Sequence, residues 1–213
     1  MLIIGLTGGI ACGKTQVSRY FENLGIPVID TDIISRNLVE PNSPALTEII
    51  DIFGDDIIDQ NKNLKRHRLR EIIFNSTERR QQLEAILHPK IHAAVLQQLT
   101  SLTQKNKANP NKVPYTVIVI PLLLETKSNY PIDRILLVDC AEQQQIERTM
   151  LRDNISREQS LAIIANQISR TERISKVDDV IENNSDLDFC YSQIKNYHEK
   201  YLILSQSNRY KFK

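Results

Sequence analysis

A glycine-rich segment near the start of the chain carries the clearest chemical signal. Residues 8–15 read GGIACGKT and fit the pattern G-x-x-x-x-G-K-[ST] at each fixed position. In this pattern the glycines let successive backbone N–H groups turn toward an anion, the lysine adds a positive charge for the outer phosphates, and the threonine hydroxyl is a ligand for Mg²⁺. We therefore predict contacts with the phosphates of ATP from Gly8, Gly9, Ile10, Ala11, Cys12, Gly13, Lys14, Thr15 and Gln16, with Lys14 also catalytic and Thr15 also a metal ligand.

The flanks of this segment distinguish a phosphate loop from a chance glycine-rich turn. The apolar run Leu2–Leu6 predicts a strand before it, and Val17, Phe21 and Leu24 recur at helical spacing after it. A strand, a loop and a helix in that order are the context that the motif requires. Cys12 is interpreted as a small residue that fills a tight loop, because phosphoryl transfer needs no thiol. A helix N-terminus can lower the pKa of a thiol, so a modification of Cys12 stays open.

Two aspartates follow the second predicted strand, Ile26–Ile29, in the run Asp30-Thr31-Asp32. Ligands of an open parallel sheet bind beyond the carboxyl ends of its strands, so this run and the phosphate loop are expected at one crevice. A carboxylate there can accept the proton of an attacking hydroxyl or hold Mg²⁺. In an extended segment the two side chains point to opposite sides. We predict Asp32 as the catalytic and substrate-binding carboxylate and Asp30 as a metal ligand; the alternative is that they cap a helix beginning near residue 33.

The remaining pattern alternates strands with helices, which predicts an α/β fold with a parallel sheet covered on both faces in three α/β/α layers. Further strands are expected at Tyr115–Ile120, Arg134–Val138 and Asp179–Glu182, and an amphipathic helix near the end carries Phe189 and Tyr201. Two mainly helical stretches interrupt this alternation. The predicted organisation is a nucleotide-binding core of residues 1–32, 113–140 and 178–213, a helical insert of residues 33–112, and an arginine-rich segment of residues 141–177.

Composition narrows the class of protein. The 213 residues carry a net charge of +1, so no general electrostatic attraction to nucleic acid or to a membrane surface is expected. No run approaches the about 18 apolar residues of a membrane span. The three cysteines are odd in number and form no CxxC motif, which argues against a disulfide framework or a zinc site and favours a reducing cytoplasm. The start of the chain lacks a basic region before its apolar run, so it is interpreted as a strand rather than a signal peptide.

Six segments in a fixed order give a family resemblance: GLTGGIACGKT, GIPVIDTDIISR, LHPKI, VIVIPLLLE, RTMLRD and DDVIENN. From Gly5 to Asn184 the chain resembles dephospho-CoA kinase, a family similar in fold to the nucleoside monophosphate kinases. The resemblance implies transfer of the γ-phosphoryl group of ATP to the ribose 3′-hydroxyl of dephospho-CoA, with Mg²⁺. It also implies that residues 33–112 bind dephospho-CoA and that residues 141–177 form a lid. The chain departs from the family at Ala11 and Cys12, where glycine and serine are common, and at Asn183-Asn184-Ser185, where a glycine often follows.

Basic residues outside the loop supply further candidates. Six basic side chains and three acidic ones lie between Arg148 and Lys176. Arg148 and Arg152 share a helix face and are predicted to stabilise the transferring phosphoryl group as catalytic residues; the alternative is a solvated helix face. Predicted substrate contacts, besides Asp32, are Arg66, His88, Pro121 and Leu122, with Glu125 a weaker candidate. Pro89 is expected to keep His88 out of helical geometry.

Three other interpretations remain. Another small-molecule kinase of the same superfamily would share the phosphate loop, and a non-catalytic ATP-binding module would too. A GTP-driven switch protein needs an NKxD segment, and each Asn-Lys pair in this chain lacks the aspartate. The DxxG match at Asp51–Gly54 lies in the helical insert and is treated as chance. The expected partners are ATP and dephospho-CoA, without nucleic acid or membrane. The expected state is a monomer, with an oligomer as the alternative.

Overall fold

The fold is built on a five-stranded parallel sheet. The computed structural model describes residues 1–108, 114–126, 129–184 and 186–207. The strands are β1 (Leu2–Gly8), β2 (Val28–Asp30), β3 (Tyr115–Val119), β4 (Arg134–Asp139) and β5 (Asp179–Glu182), in the order β2-β3-β1-β4-β5. Every pairing is parallel. Short apolar runs separated by helices predicted this arrangement, and the α/β fold class is confirmed.

The strand register aligns the ends from which functional loops depart. Gly8 pairs with Val138, and both Leu6 and Asp30 pair with Val119. The approach at Gly8 is so close that a Cβ atom there would lie 2.4 Å from the carbonyl oxygen of Val138. Only glycine fits at this position, since that atom belongs to backbone that cannot move aside. The end of β1 is thereby placed directly against the end of β4.

The described residues also contain nine α-helices. They are α1 (Lys14–Asn23), α2 (Thr31–Leu38), α3 (Pro44–Phe53), α4 (Arg66–Phe74), α5 (Thr77–Ala108), α6 (Glu142–Asp153), α7 (Arg157–Ala165), α8 (Arg170–Ser175) and α9 (Leu187–Ser207), with a short 3₁₀ helix at Asp55–Ile57. The spacing of Ser156 and Gln159 in the sequence predicts a capping box at the start of a helix, and the structure has that capping box at the start of α7. Across the described residues, none of these helices has the length and apolar character needed to span a membrane.

The chain divides into two compact units. One comprises Met1–Asp30 and Ser101–Lys213, and the other comprises Thr31–Thr100. The first unit buries apolar side chains of β1, β3 and β4 against α1 and α9, including Phe21 and Tyr201. The second has a core of its own, formed by Val39, Ile49, Ile57, Leu69, Leu83 and Ile86. Separation of residues 141–177 from the rest of the first unit as a lid remains a prediction.

Three local expectations were wrong. Pro89 lies inside α5, so it does not keep His88 out of helical geometry; the lost hydrogen bond is a local cost that the long helix on either side outweighs. The polar composition of residues 103–112 predicts a loop between a helix and a strand. The same helix instead reaches Ala108, and residues 109–112 lie outside the described part of the chain. The segment after β2 is not extended, because α2 begins at Thr31 and places Asp32 in its first turn.

A buried carboxylate fixes the start of β5. Asp179 is 3% exposed and accepts hydrogen bonds from Arg134 Nε (3.0 Å), Lys200 Nζ (2.5 Å) and Tyr201 Oη (3.0 Å). Burial raises the pKa of the Asp179 carboxyl, but these hydrogen bonds outweigh burial and hold the pKa below its ordinary value of 3.8. The ionised form is therefore the one that stabilises the fold.

We expect Asp179→Asn to lower the free energy of unfolding at pH 7 by roughly 2–4 kcal/mol, because two cations lose their buried partner. The difference from the unsubstituted protein should be complete above the unfolded pKa and should vanish as the pH falls through the lower folded pKa. Urea unfolding between pH 2 and pH 7 measures it. The exposed Asp188→Asn serves as control, with an expected change below about 1 kcal/mol; equal losses in both variants would refute the role of Asp179.

Candidate functional site

The phosphate loop joins the end of β1 to the start of α1, as the sequence predicted. Ala11 and Gly13 adopt left-handed backbone angles, with φ of 57° and 97°. The Lys14 ammonium donates to the carbonyl oxygens of Gly8 (2.8 Å) and Gly9 (3.0 Å), so its charge lies over the loop. Thr15 is exposed in the first turn of α1, where the helix dipole favours an anion. These features together form an anion-binding cradle.

The loop is held from outside by Asn183, which follows β5. Its Nδ2 atom donates to the carbonyl oxygen of Cys12 (2.8 Å), and its own backbone N–H donates to the carbonyl oxygen of Asp139 (2.8 Å). Asn183 is 5% exposed, and Arg148 Nη2 donates to its carbonyl oxygen (3.2 Å). A Cβ atom on Gly13 would lie 2.4 Å from Asn183 Nδ2. The glycine is therefore required by the neighbouring amide as well as by its backbone angles.

Gln167 and Arg173, both in the segment 141–177, also lie against the loop. Gln167 Oε1 accepts a hydrogen bond from the backbone N–H of Ile10 (3.0 Å), which places an amide oxygen on one of the loop's donors. Arg173 is 4% exposed and donates to the carbonyl oxygen of Ile168 (3.0 Å). A Cβ atom on Gly9 would lie 3.0 Å from Arg173 Nη1, so this guanidinium is beside the loop.

Two buried sulfur atoms meet behind the loop. Cys12 Sγ lies 2.7 Å from Cys140 Sγ, and Gln145 Nε2 donates to Cys12 Sγ (3.2 Å). The hydrogen bond from Cys140 lowers the pKa of the Cys12 thiol against the opposing effect of burial, and the positive charge of Lys14 adds to the lowering. The same hydrogen bond and burial raise the pKa of the Cys140 thiol.

An ion pair between a buried carboxylate and an exposed arginine lies at the end of β4. Asp139 is 1% exposed and accepts hydrogen bonds from Arg170 Nε and Nη2, the shortest at 2.7 Å. The bond to Asp139 raises the pKa of Arg170, which stays charged. The arginine offsets a carboxylate that would otherwise repel an anion bound near the strand ends.

The two arginines predicted as catalytic lie in different surroundings. Arg148 contacts Asn183 and thus the support of the loop, whereas Arg152 is exposed and pairs with the adjacent Asp153 at 2.8 Å. Arg170 and Arg173 belong to the same group of basic residues but are not among those predicted as catalytic. Sequence reasoning also missed Gln167 and Asn183 as residues that contact the loop. The catalytic roles of Arg148 and Arg152 remain predictions.

The other predicted site residues are placed as follows. Thr7 Oγ1 donates to the carbonyl oxygen of Pro121 (3.3 Å) in the first unit, and Leu122 is 44% exposed. In the second unit, Asp32 is exposed in the first turn of α2, and His88 is exposed on α5. Arg66 begins α4 and donates to the carbonyl oxygen of Arg36 (3.4 Å). Their contacts with substrate remain predictions.

The oxygen donors at the strand ends fit Mg²⁺. Within the described residues there is no cluster of three or more His, Cys, Asp or Glu side chains suited to hold a metal ion by themselves. Magnesium in nucleotide sites commonly takes one or two protein ligands and completes its shell with phosphate oxygens and water. The exposed hydroxyl of Thr15 and the carboxylate of Asp30 at the end of β2 are ligands of that kind.

Comparison with known proteins agrees with this geometry. The family model for dephospho-CoA kinase matches residues 2–188. The chain belongs to the dephospho-CoA kinase family. A dephospho-CoA kinase of Vibrio parahaemolyticus is 42% identical over 97% of this chain and 98% of its own length, and one of Acinetobacter baylyi is 43% identical over 95% and 99%. The family predicted from the sequence is confirmed, and with it the class of ATP-dependent kinase.

Solved structures show the same fold. A dephospho-CoA kinase from Campylobacter jejuni superposes with a TM-score of 0.69 at 27% identity, covering 97% of this chain and 98% of that one. TT1252 from Thermus thermophilus superposes with a TM-score of 0.76 at 25% identity, covering 93% and 96%. The parallel sheet and phosphate loop are thus those of a P-loop kinase.

We expect Gly13→Ala to weaken MgATP binding at least tenfold, because the new Cβ meets Asn183 and displaces the loop. The matched control is Gly25→Ala, which also has a positive φ (78°) but has open space around the added atom. Both variants should lose about 1–2 kcal/mol of stability through backbone strain, whereas only the first should lose affinity. Titration calorimetry with MgATP and urea unfolding separate the two effects, and equal affinities would contradict the packing argument.

Proposed function

We propose that this protein transfers the γ-phosphoryl group of ATP to the ribose 3′-hydroxyl of dephospho-CoA, giving coenzyme A and ADP in the last step of coenzyme A synthesis. Membership of the dephospho-CoA kinase family over residues 2–188 carries the proposal. The intact phosphate loop supports its donor half. The expected setting is the cytoplasm, with ATP and dephospho-CoA as the partners of a monomer and without nucleic acid or membrane.

Donor binding is proposed to use the loop's backbone donors and Lys14. The Lys14 ammonium now rests on two carbonyl oxygens and would exchange them for oxygens of the outer phosphates. The backbone N–H of Ile10 would exchange the amide oxygen of Gln167 for a phosphate oxygen in the same way. Both exchanges keep the number of hydrogen bonds while replacing weak acceptors by anionic ones, so each favours the bound state.

Stabilisation of the transferring group is proposed to come from cations around the loop. Phosphoryl transfer spreads negative charge over the equatorial oxygens, and fixed positive charges lower its energy. Lys14 is one such charge, and Arg148 and Arg152 are the predicted others. Arg173 is added to them because its guanidinium lies beside Gly9. Mg²⁺ bound with ATP, held by Thr15 and Asp30, would neutralise charge on the phosphate oxygens.

Acceptor activation is assigned to Asp32. Its carboxylate is exposed in the first turn of α2, directly after β2, and a carboxylate can accept the proton of an attacking hydroxyl. Arg66, His88, Pro121 and Leu122 are proposed to bind the rest of dephospho-CoA. Arg66 has the charge to bind a phosphate of this substrate, and Leu122 offers exposed apolar surface.

An acceptor panel tests the reaction. We expect Mg²⁺-dependent ADP formation from ATP with dephospho-CoA, and at least a hundredfold lower rates with AMP or pantothenate at equal concentration, because only the first acceptor matches the family. A coupled ADP assay measures the rates, and chromatography identifies coenzyme A as product. Equal rates with AMP or pantothenate would refute the assignment of dephospho-CoA while leaving the phosphate loop intact.

The role of Asp32 is tested by Asp32→Asn. Loss of the base should lower turnover with dephospho-CoA by about 10²–10⁴-fold, a typical contribution of general base catalysis. MgATP affinity should stay within about threefold, since the donor loop is unchanged. The control Asp51→Asn alters an exposed aspartate of α3 and should leave both quantities unchanged. Near-normal turnover of Asp32→Asn would move the base elsewhere.

A further inference from the structure

Kinase chemistry makes no use of the thiol pair behind the phosphate loop. Cys12 and Cys140 are separated by 128 positions, both are 0% exposed, and their sulfur atoms lie 2.7 Å apart. A disulfide joins its sulfurs at about 2.0 Å, so bond formation requires only a small approach of the two side chains. The chain's remaining cysteine, Cys190, is buried in α9 and is a free thiol as well.

The surrounding backbone keeps the two thiols together. Pairing of Gly8 with Val138 places the start of the loop against the end of β4, two residues before Cys140. The amide of Gln145 bridges the pair, since Nε2 donates to Cys12 Sγ (3.2 Å) and to the carbonyl oxygen of Cys140 (3.4 Å). The side-chain amide of Asn183 donates to the carbonyl oxygen of Cys12 and so fixes the backbone at that residue. A covalent link would therefore join groups that the folded protein already holds in place.

We propose that Cys12 and Cys140 form a modification site, in which a hydroperoxide oxidises the two thiols to a reversible disulfide that fastens the phosphate loop to the end of β4. This proposal is independent of the acceptor that the kinase uses. The disulfide would join Cys140, which follows β4, to the loop whose backbone is proposed to bind ATP.

The reaction proceeds in two balanced steps. Because both thiols are buried, hydrogen peroxide reaches Cys12 when the loop opens locally. The Cys12 thiolate then attacks one oxygen of the peroxide; an S–O bond forms, the O–O bond breaks, and hydroxide leaves and takes up a proton as water. Cys140 then attacks the Cys12 sulfur; the S–S bond forms, the S–O bond breaks, and a second water leaves. Two thiols thus lose two electrons and two protons, and one peroxide is reduced to two waters. Lys14 and Arg173 supply positive charge that favours Cys12 as the attacking thiolate.

The link should also stabilise the fold. A bond between residues 128 positions apart constrains a long loop of the unfolded chain and leaves the folded arrangement nearly unchanged. The oxidised protein should therefore unfold at a higher temperature than the reduced protein. A modification that merely disturbed the loop would have the opposite effect, so the sign of the shift distinguishes a fitting cross-link from damage.

Thiol counting after treatment with hydrogen peroxide tests the proposal. In guanidinium, the untreated protein should titrate three thiols and the treated protein one, with a peptide linking Cys12 to Cys140 in the mass spectrum. Cys190→Ala should form the same link and keep none, whereas Cys12→Ser and Cys140→Ser should form none. Dithiothreitol should restore three thiols, and the treated protein should run as a monomer on a non-reducing gel.

Thermal unfolding gives an independent measurement on the same samples. Treated wild-type protein and treated Cys190→Ala should each melt several degrees above their reduced forms, and Cys140→Ser should show no gain. Three remaining thiols, a link to Cys190, a sulfinic acid without a link, or a lower melting temperature of the linked protein would each overturn the proposal. The wild-type peptide map keeps the test decisive if a serine variant fails to fold.

Discussion

The close approach of β1 to β4 is the constraint on which the rest of the site depends. Because Gly8 has no side chain, its Cα lies against the carbonyl oxygen of Val138, and the loop leaves β1 directly beside the end of β4. That placement brings Cys12 within reach of Asn183 and next to Cys140. A larger residue at position 8 would separate the strands and remove the contacts that hold the loop, even with every other loop residue unchanged.

Hydrogen bonds to the carbonyl oxygens of the loop explain how it accepts Ala11 and Cys12 in place of the more common glycine and serine. Ala11 has a left-handed φ of 57°, a conformation that costs a residue with a Cβ about 1–2 kcal/mol. The loop still adopts it because the carbonyl oxygen of Cys12 is held by Asn183 and the carbonyl oxygens of Gly8 and Gly9 are held by Lys14. The conformation is therefore imposed by several contacts around it rather than by the preference of Ala11.

Sequence reasoning succeeded where the signal is local or periodic. The phosphate loop, the five strands and the capping box at Ser156 depend on neighbours a few positions apart, and these predictions were confirmed. It failed at Pro89 and at the segment after β2, since a single residue's preference was weighed without the helix around it. The supporting residues Gln167 and Asn183 contact the loop from 157 and 171 positions away. No sequence motif identifies either residue as a loop contact. Asn183 lies within the DDVIENN segment of the family resemblance, and that segment was the signal by which it could have been found.

The charged side chains around the loop differ in the partners they bind. Asp139 is buried close to the loop and would oppose an incoming phosphate, but Arg170 holds it in a bidentate pair, so its charge is offset before any ligand arrives. Lys14 and Arg173 each donate to carbonyl oxygens of the backbone, which places their positive charges at the loop. Arg170 has a different role, because it offsets the charge of the one buried carboxylate described at the end of β4.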